Sequence, residues 1–225
     1  MKKMKNKKFL IMYIILTVLP LLITTVSMFF LPDTVPVHYG PSGAADRWGS
    51  RFELMIFPFF SLVIAVFMWV SARISSKNES STKNNEKIVL ISGVCILALF
   101  LILDIFFLYL GFNGAESIYN APIDIGRLLC GFFGIFFVVS GNIMPKTKPN
   151  SIVGMRTKWS RKNENTWKKQ QRVSGIFAMI TGVVLIVLAF VLKGFAAAIA
   201  VIAITILMSV IAVVYSYVSA SKEED

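Results

Sequence analysis

Charge is scarce in this 225-residue chain: charged residues make up 16% and hydrophobic residues 56%, and the mean hydropathy is +0.72. Soluble domains carry roughly a quarter charged residues, and a globule of this size could not cover so much apolar surface. Water-soluble function classes are therefore excluded, and intrinsic disorder with them. Cysteine is nearly absent. Cys95 and Cys130 both lie inside apolar runs, which excludes a disulfide-stapled scaffold and reads as two small buried hydrophobes. Histidine occurs once, at His38, and acidic residues number 12 against 23 basic ones. A catalytic site needs a nucleophile with a base, a carboxylate pair or a metal cluster, and no such set is recognisable. The expectation is a protein that is not an enzyme and that uses no cofactor and no metal.

What the chain has instead is long apolar runs. A helix needs about 20 mostly apolar residues to cross the hydrocarbon core, and six stretches qualify, at approximately 9–30, 54–74, 88–112, 125–144, 173–192 and 195–218. The first exceeds the apolar core of a cleavable signal and is followed by no small-residue cleavage site, so it is expected to remain as a signal anchor. Pro20 and Pro58 are expected to bend the first two spans. Only Lys193 and Gly194 separate the last two, which predicts a tight helical hairpin. Gly175 and Gly182, with Ala196, Ala197, Ala198, Ala200 and Ala203, offer small faces for close packing. The fold class is thus an all-α integral membrane protein with six transmembrane helices. Residues 1–87 make a first helix hairpin with a structured outer loop (31–52) and a flexible linker, SSKNESSTKNNEK. Residues 88–225 make a four-helix membrane region with a basic loop at 145–172.

Orientation follows from the placement of Lys and Arg. One side holds five in the N-terminal tail, four over residues 73–87, nine between Lys146 and Arg172, and Lys222; the other holds Arg47, Arg51, Arg127 and Lys193. Both termini and the basic loops are expected in the cytoplasm, N-in and C-in. The basic blocks abut the spans, where anionic lipid accounts for them, so membrane lipid is an expected partner and direct nucleic-acid binding is not.

Two loops carry more than a linker needs. The first reads LPDTVPVHYGPSGAADRWGSR, whose prolines and glycines exclude helix and impose turns. Val35, Val37 and Tyr39 alternate with Pro36 and His38, a pattern that permits a short strand. Asp33, His38, Asp46 and Trp48 are its candidate site residues, either as a hydrogen-bonded structural loop or as an external recognition surface. Taken as metal ligands, Asp33, His38 and Asp46 lack convincing spacing. The second loop reads GNIMPKTKPNSIVGMRTKWSRKNENTWKKQQRVSG. Pro145 and Pro149 end the fourth span, Gly154 permits a turn, and from about Ser160 a helix can run on into the fifth span. Glu164 and Lys168 are spaced for an i, i+4 pair. Trp159 and Trp167 read either as interfacial anchors or, with Arg156 and Arg172, as a surface that docks a partner.

At these loops the sequence resembles the SdpI-type family of bacterial toxin-peptide immunity membrane proteins. Gly141-Asn142, Pro145-Lys146, Pro149-Asn150, Gly154, Arg156-Thr157, Trp159, Asn163-Glu164, Trp167, Arg172 and Gly175 match that family's signature spacing. Leu31-Pro32-Asp33, Pro36, His38, Gly43, Asp46, Trp48 and Gly49 are similar to the small domain often fused ahead of it. The chain departs from the pattern at Gln171, where many relatives have histidine, and at Lys158, where proline is common. The resemblance implies protection against a secreted, membrane-active peptide toxin. For some members it also implies signalling, by drawing a cytoplasmic DNA-binding repressor to the membrane. It implies partner or ligand recognition by Arg156, Thr157, Trp159, Asn163, Glu164, Trp167 and Arg172.

Inside the third span, Asp104 interrupts LFLILDIFFLYL, and an ionisable group at that depth points to function. Arg127, at the start of the fourth span, is the partner expected for it, as a structural ion pair or as a proton-handling or ligand site. That polar pair supports the competing reading, a small transporter or channel using Asp104 and Arg127.

Overall fold

The computed structural model describes residues 7–75, 82–150 and 152–221. Six helices carry the chain: α1 (Lys7–Ser27), α2 (Ile56–Ser75), α3 (Thr82–Phe112), α4 (Ile125–Ile143), α5 (Glu164–Val191) and α6 (Gly194–Ser221). Each includes a stretch long and apolar enough to cross a membrane, so the chain is an all-α multi-pass membrane protein. Side chains such as Phe67 and Phe190 are left exposed, as a lipid-facing surface requires. The exception to helix among the described residues is a hairpin of β1 (Thr34–Tyr39) and β2 (Ala45–Ser50), paired antiparallel with Val35 opposite Gly49 and Pro36 opposite Trp48.

The structure bears on the sequence reading at three points. The linker expected at 75–87 lies partly outside the described residues, and α3 starts at Thr82, six residues before the apolar run. Asn85 is fully buried there and bonded to the 144–163 loop, so a packing contact extends the helix past its apolar stretch. Pro58 sits in the first turn of α2, where no intrahelical hydrogen bond is lost, leaving Pro20 as the proline placed inside a helix. Helix α5 does run unbroken from the basic loop into its span. It starts at Glu164 because Asn163 caps it: the Asn163 side chain accepts from Thr166 N and the Thr166 hydroxyl accepts from Asn163 N.

The chain packs as two compact units, and α3 contributes to both. One unit takes in residues up to Val70 together with Leu90–Ile125. Its core is Met28, Leu31, Val35, Leu54 and Leu108. One face of β1 rests on the end of α3: Val35 packs beside Gly111, and Tyr39 lies 6.3 Å from the Phe107 ring and donates from its hydroxyl to Ala115 O at 3.0 Å. The hairpin turn is tied to the α3–α4 connection by Ala45 N to Glu116 O (2.7 Å) and Ile118 N to Gly43 O (2.8 Å). Gly43 has φ +81°, and a Cβ there would run into the Tyr119 ring, so glycine is required on both counts.

The other unit takes in Ser71–Val89 and the chain from Gly126 on. Helices α4 and α5 meet through glycine: a Cβ on Gly134 would strike the backbone of Gly182, and one on Gly141 the backbone of Gly175. Cys130, Leu185, Ala197 and Val201 form the core against α6, so Cys130 is the small buried hydrophobe expected of it.

Candidate functional site

The 144–163 loop is held in shape by buried side chains of the helices around it. Trp167, in the first turn of α5, is fully buried, and its indole N–H donates to Thr147 O at 3.0 Å. One turn on, Gln171 is also fully buried. Its amide donates to Met155 O at 2.8 Å and accepts from Met155 N at 3.0 Å. A Cβ on Gly154 would collide with that amide, and Gly154 has φ +96°, so the loop closes over Gln171 only with glycine there. Asn85 makes the same two-way contact with Lys148, at 3.2 Å for each bond. Ser160 donates to Met155 O at 2.9 Å, and the hydroxyls of Thr157 and Ser216 of α6 are hydrogen bonded to each other. Gln170, in turn, donates to Ala212 O of α6 at 3.0 Å. Buried polar groups satisfied in this way specify one conformation.

The residues singled out in the sequence separate into two sets. Trp167 belongs to the interior, so its reading as an interfacial anchor is corrected: an indole with its N–H bonded and no exposed surface does not reach lipid. Asn163 is the helix cap. Trp159 is half-buried and packs edge-on against Tyr217 of α6, ring centroids 5.2 Å apart, with Lys158 Nζ 5.1 Å from its centroid. Glu164 and Lys168 form the expected pair at 3.9 Å, but both are 70% exposed, where such a pair contributes little. Arg156 and Arg172 are exposed. The loop is thus a rigid base that carries a cationic outer surface. Sequence reasoning missed Asn85 and overlooked the role of Gln171. The available signal was Gln171 one turn after Trp167 on the same helical face.

In the hairpin, His38 and Asp46 do meet, His38 Nδ1 against Asp46 Oδ1, on the exposed surface. Asp33 turns instead to Arg51, 3.3 Å away, and Arg51 donates to Leu31 O at 2.7 Å. Arg47 pairs with Glu53 at 2.8 Å. Trp48 stays 45% exposed. Burial of Tyr39 pushes its phenol up to about 12 from the usual 10.

Asp104 is fully buried, and the Thr24 hydroxyl lies 2.8 and 2.9 Å from its two oxygens. Nothing in the sequence pointed to Thr24, because the contact depends on how α1 and α3 pack. Arg127 donates to Leu192 O at 3.2 Å and Phe190 O at 3.4 Å. Those carbonyls end α5, where helical acceptors run out of partners.

Residues 146–217 match the model of the SdpI/YfhL protein family, and residues 15–62 match a domain of unknown function, DUF1648. The chain is 26% identical over 181 residues to the Immunity protein SdpI of Bacillus subtilis (strain 168), covering 80% of this chain and 81% of that one. It is also 48% identical over 42 residues to an uncharacterized protein of Archaeoglobus fulgidus, covering 18% of this chain and 23% of that one. No solved structure matches it significantly. The resemblance read from the signature residues is borne out by the family match and by the bacterial immunity protein.

Proposed function

We propose that this protein is an immunity protein of the bacterial cell membrane that protects against a secreted, membrane-active peptide. The observation that carries the reading is the likeness to Immunity protein SdpI over four-fifths of the chain, including the whole 144–163 loop. In this reading both termini and that loop are cytoplasmic, the hairpin is external, and Arg156 and Arg172 recognise a protein partner such as a DNA-binding repressor. Arginine suits the task because its planar fork makes two-pronged contacts with carboxylates. The buried Trp167, Gln171 and Asn85 contacts support it, since they hold the arginines on a base of fixed shape.

The test is survival of a toxin-sensitive bacterium that expresses the chain and is challenged with candidate secreted peptides. Survival above an empty-vector control, together with co-fractionation of a repressor with membranes on exposure, is the expected result. No protection against any peptide that a related immunity protein neutralises would end the proposal. The buried Thr24–Asp104 contact favours a second reading, a small transporter or channel, for which solute-dependent flux in liposomes is the measurement.

A further inference from the structure

A groove of about 310 Å³ opens beside the hairpin, lined among others by Arg47, Glu53, Phe57, Phe60, Phe100 and Phe107. Its chemistry changes along its length. At one end stand the Arg47 guanidinium and the Glu53 carboxylate, paired at 2.8 Å and with side chains 57% and 40% exposed. Gly49 makes this placement possible, because a Cβ there would overlap the Glu53 carboxylate. Below lie phenylalanines. Phe57 stacks on Phe107 with centroids 4.8 Å apart, and Phe100 lies two turns deeper on α3, about 10 Å along the helix at 1.5 Å per residue. The groove therefore runs parallel to the spans, from a polar mouth carrying one cation and one anion to an aromatic floor inside the apolar segment.

We infer that this groove is a binding site for one zwitterionic phospholipid of the surrounding bilayer, with a primary-amine headgroup. The phosphate meets Arg47, the ammonium meets Glu53, and an acyl chain lies along Phe57, Phe107 and Phe100. Charge complementarity selects this occupant. An anionic lipid would satisfy Arg47 and place its charge beside Glu53, whereas a headgroup with both signs satisfies the two together. A chain running along the spans fits a lipid better than a peptide segment lying across them. The inference does not depend on the immunity reading.

The experiment uses the full chain in nanodiscs of mixed phosphatidylethanolamine and phosphatidylglycerol, followed by native mass spectrometry of lipid retained on extraction. The wild type is expected to retain one phosphatidylethanolamine in preference to phosphatidylglycerol. Glu53→Gln is expected to lower that preference about threefold to tenfold, the range of a single lost charge contact. Phe100→Trp, which narrows the deep end without touching the mouth, is expected to lower retention of both lipids. Equal retention of the two lipids by the wild type, or an unchanged preference in Glu53→Gln, would overturn the assignment. So would displacement of a brominated phosphatidylethanolamine, read by tryptophan quenching, on addition of a hydrophobic peptide at equimolar amount, because the groove would then be a peptide site.

Discussion

Gln171 shows how one uncharged side chain can fix a loop. A carboxamide accepts and donates in a single plane, and Gln171 uses both functions on Met155. Gln171→Glu keeps the acceptor and loses the donor, which leaves Met155 O without that partner and puts a charge in a buried site. A loss of about 1–3 kcal/mol is expected, read as a lower thermal midpoint in detergent. Arg156→Lys and Arg172→Lys change only exposed groups, so the midpoint should stay within about 0.5 kcal/mol of wild type. Protection against the peptide, normalised to membrane abundance, should nevertheless be lost if these arginines make planar contacts. Wild-type survival for both would return the loop to the role of a lipid anchor. Trp167→Tyr belongs to the first kind of test, since it empties space and removes the bond to Thr147. Asp104 and Arg127 were legible as individual charges in apolar stretches, but Thr24 was not, because no spacing links residues 80 positions apart. Thr24→Val and Asp104→Asn should each lower the midpoint and be strongly non-additive when combined. The same cycle between Asp104→Asn and Arg127→Gln tests the coupling proposed for that pair, and strict additivity would remove it.

Among the helices, the closest approach is made by glycine. In α4, Gly141 and Gly134 admit the backbone of α5 where a methyl group would strike it, while a Cβ on Gly131 would meet only the Ala189 Cβ at 3.9 Å. Gly141→Ala should therefore separate the two helices and lower stability, and Gly131→Ala should be neutral or raise it by up to about 1 kcal/mol through helix propensity. Equal effects of the two substitutions would show that the close contact has no consequence. The hairpin offers a pH test. Neutral Tyr39 donates to Ala115 O, and its phenol is raised from 10 to about 12. An acid with a raised folded value contributes stability that is complete below pH 10 and lost as pH rises through 10 toward 12. Accessibility of a cysteine placed in the hairpin turn should rise over that window in wild type, and Tyr39→Phe should remove this pH dependence. The alternation of Val35, Val37 and Tyr39 made β1 legible. That its inner face would rest on α3 was not, because alternation names a face and says nothing of what covers it.

At the scale of the whole molecule, six spans were readable because hydropathy over about 20 residues is a strong signal, and the bilayer leaves the backbone few alternatives to helix. The proposed orientation is testable with a membrane-impermeant thiol reagent on intact cells. Ser42→Cys should react directly, and Ser81→Cys, at a position outside the described residues, only after permeabilisation; the reverse pattern would invert the topology. The sequence reading places a domain boundary at residue 87; in the structure the hairpin rests on the connection that follows α3, and Leu90–Ile125 packs in one unit with the residues up to Val70. That seating has a consequence for biosynthesis. A nascent chain released at residue 62 would contain the whole stretch matched by the second family model, yet it would lack Ala115, Glu116 and Ile118, to which the hairpin is bonded. The hairpin must therefore wait for the third helix to be threaded through the insertion machinery, a delay of roughly 3–15 s at ribosomal speed. During that interval the hairpin lacks those bonds, and in the proposed orientation it stands open to proteases outside the cell.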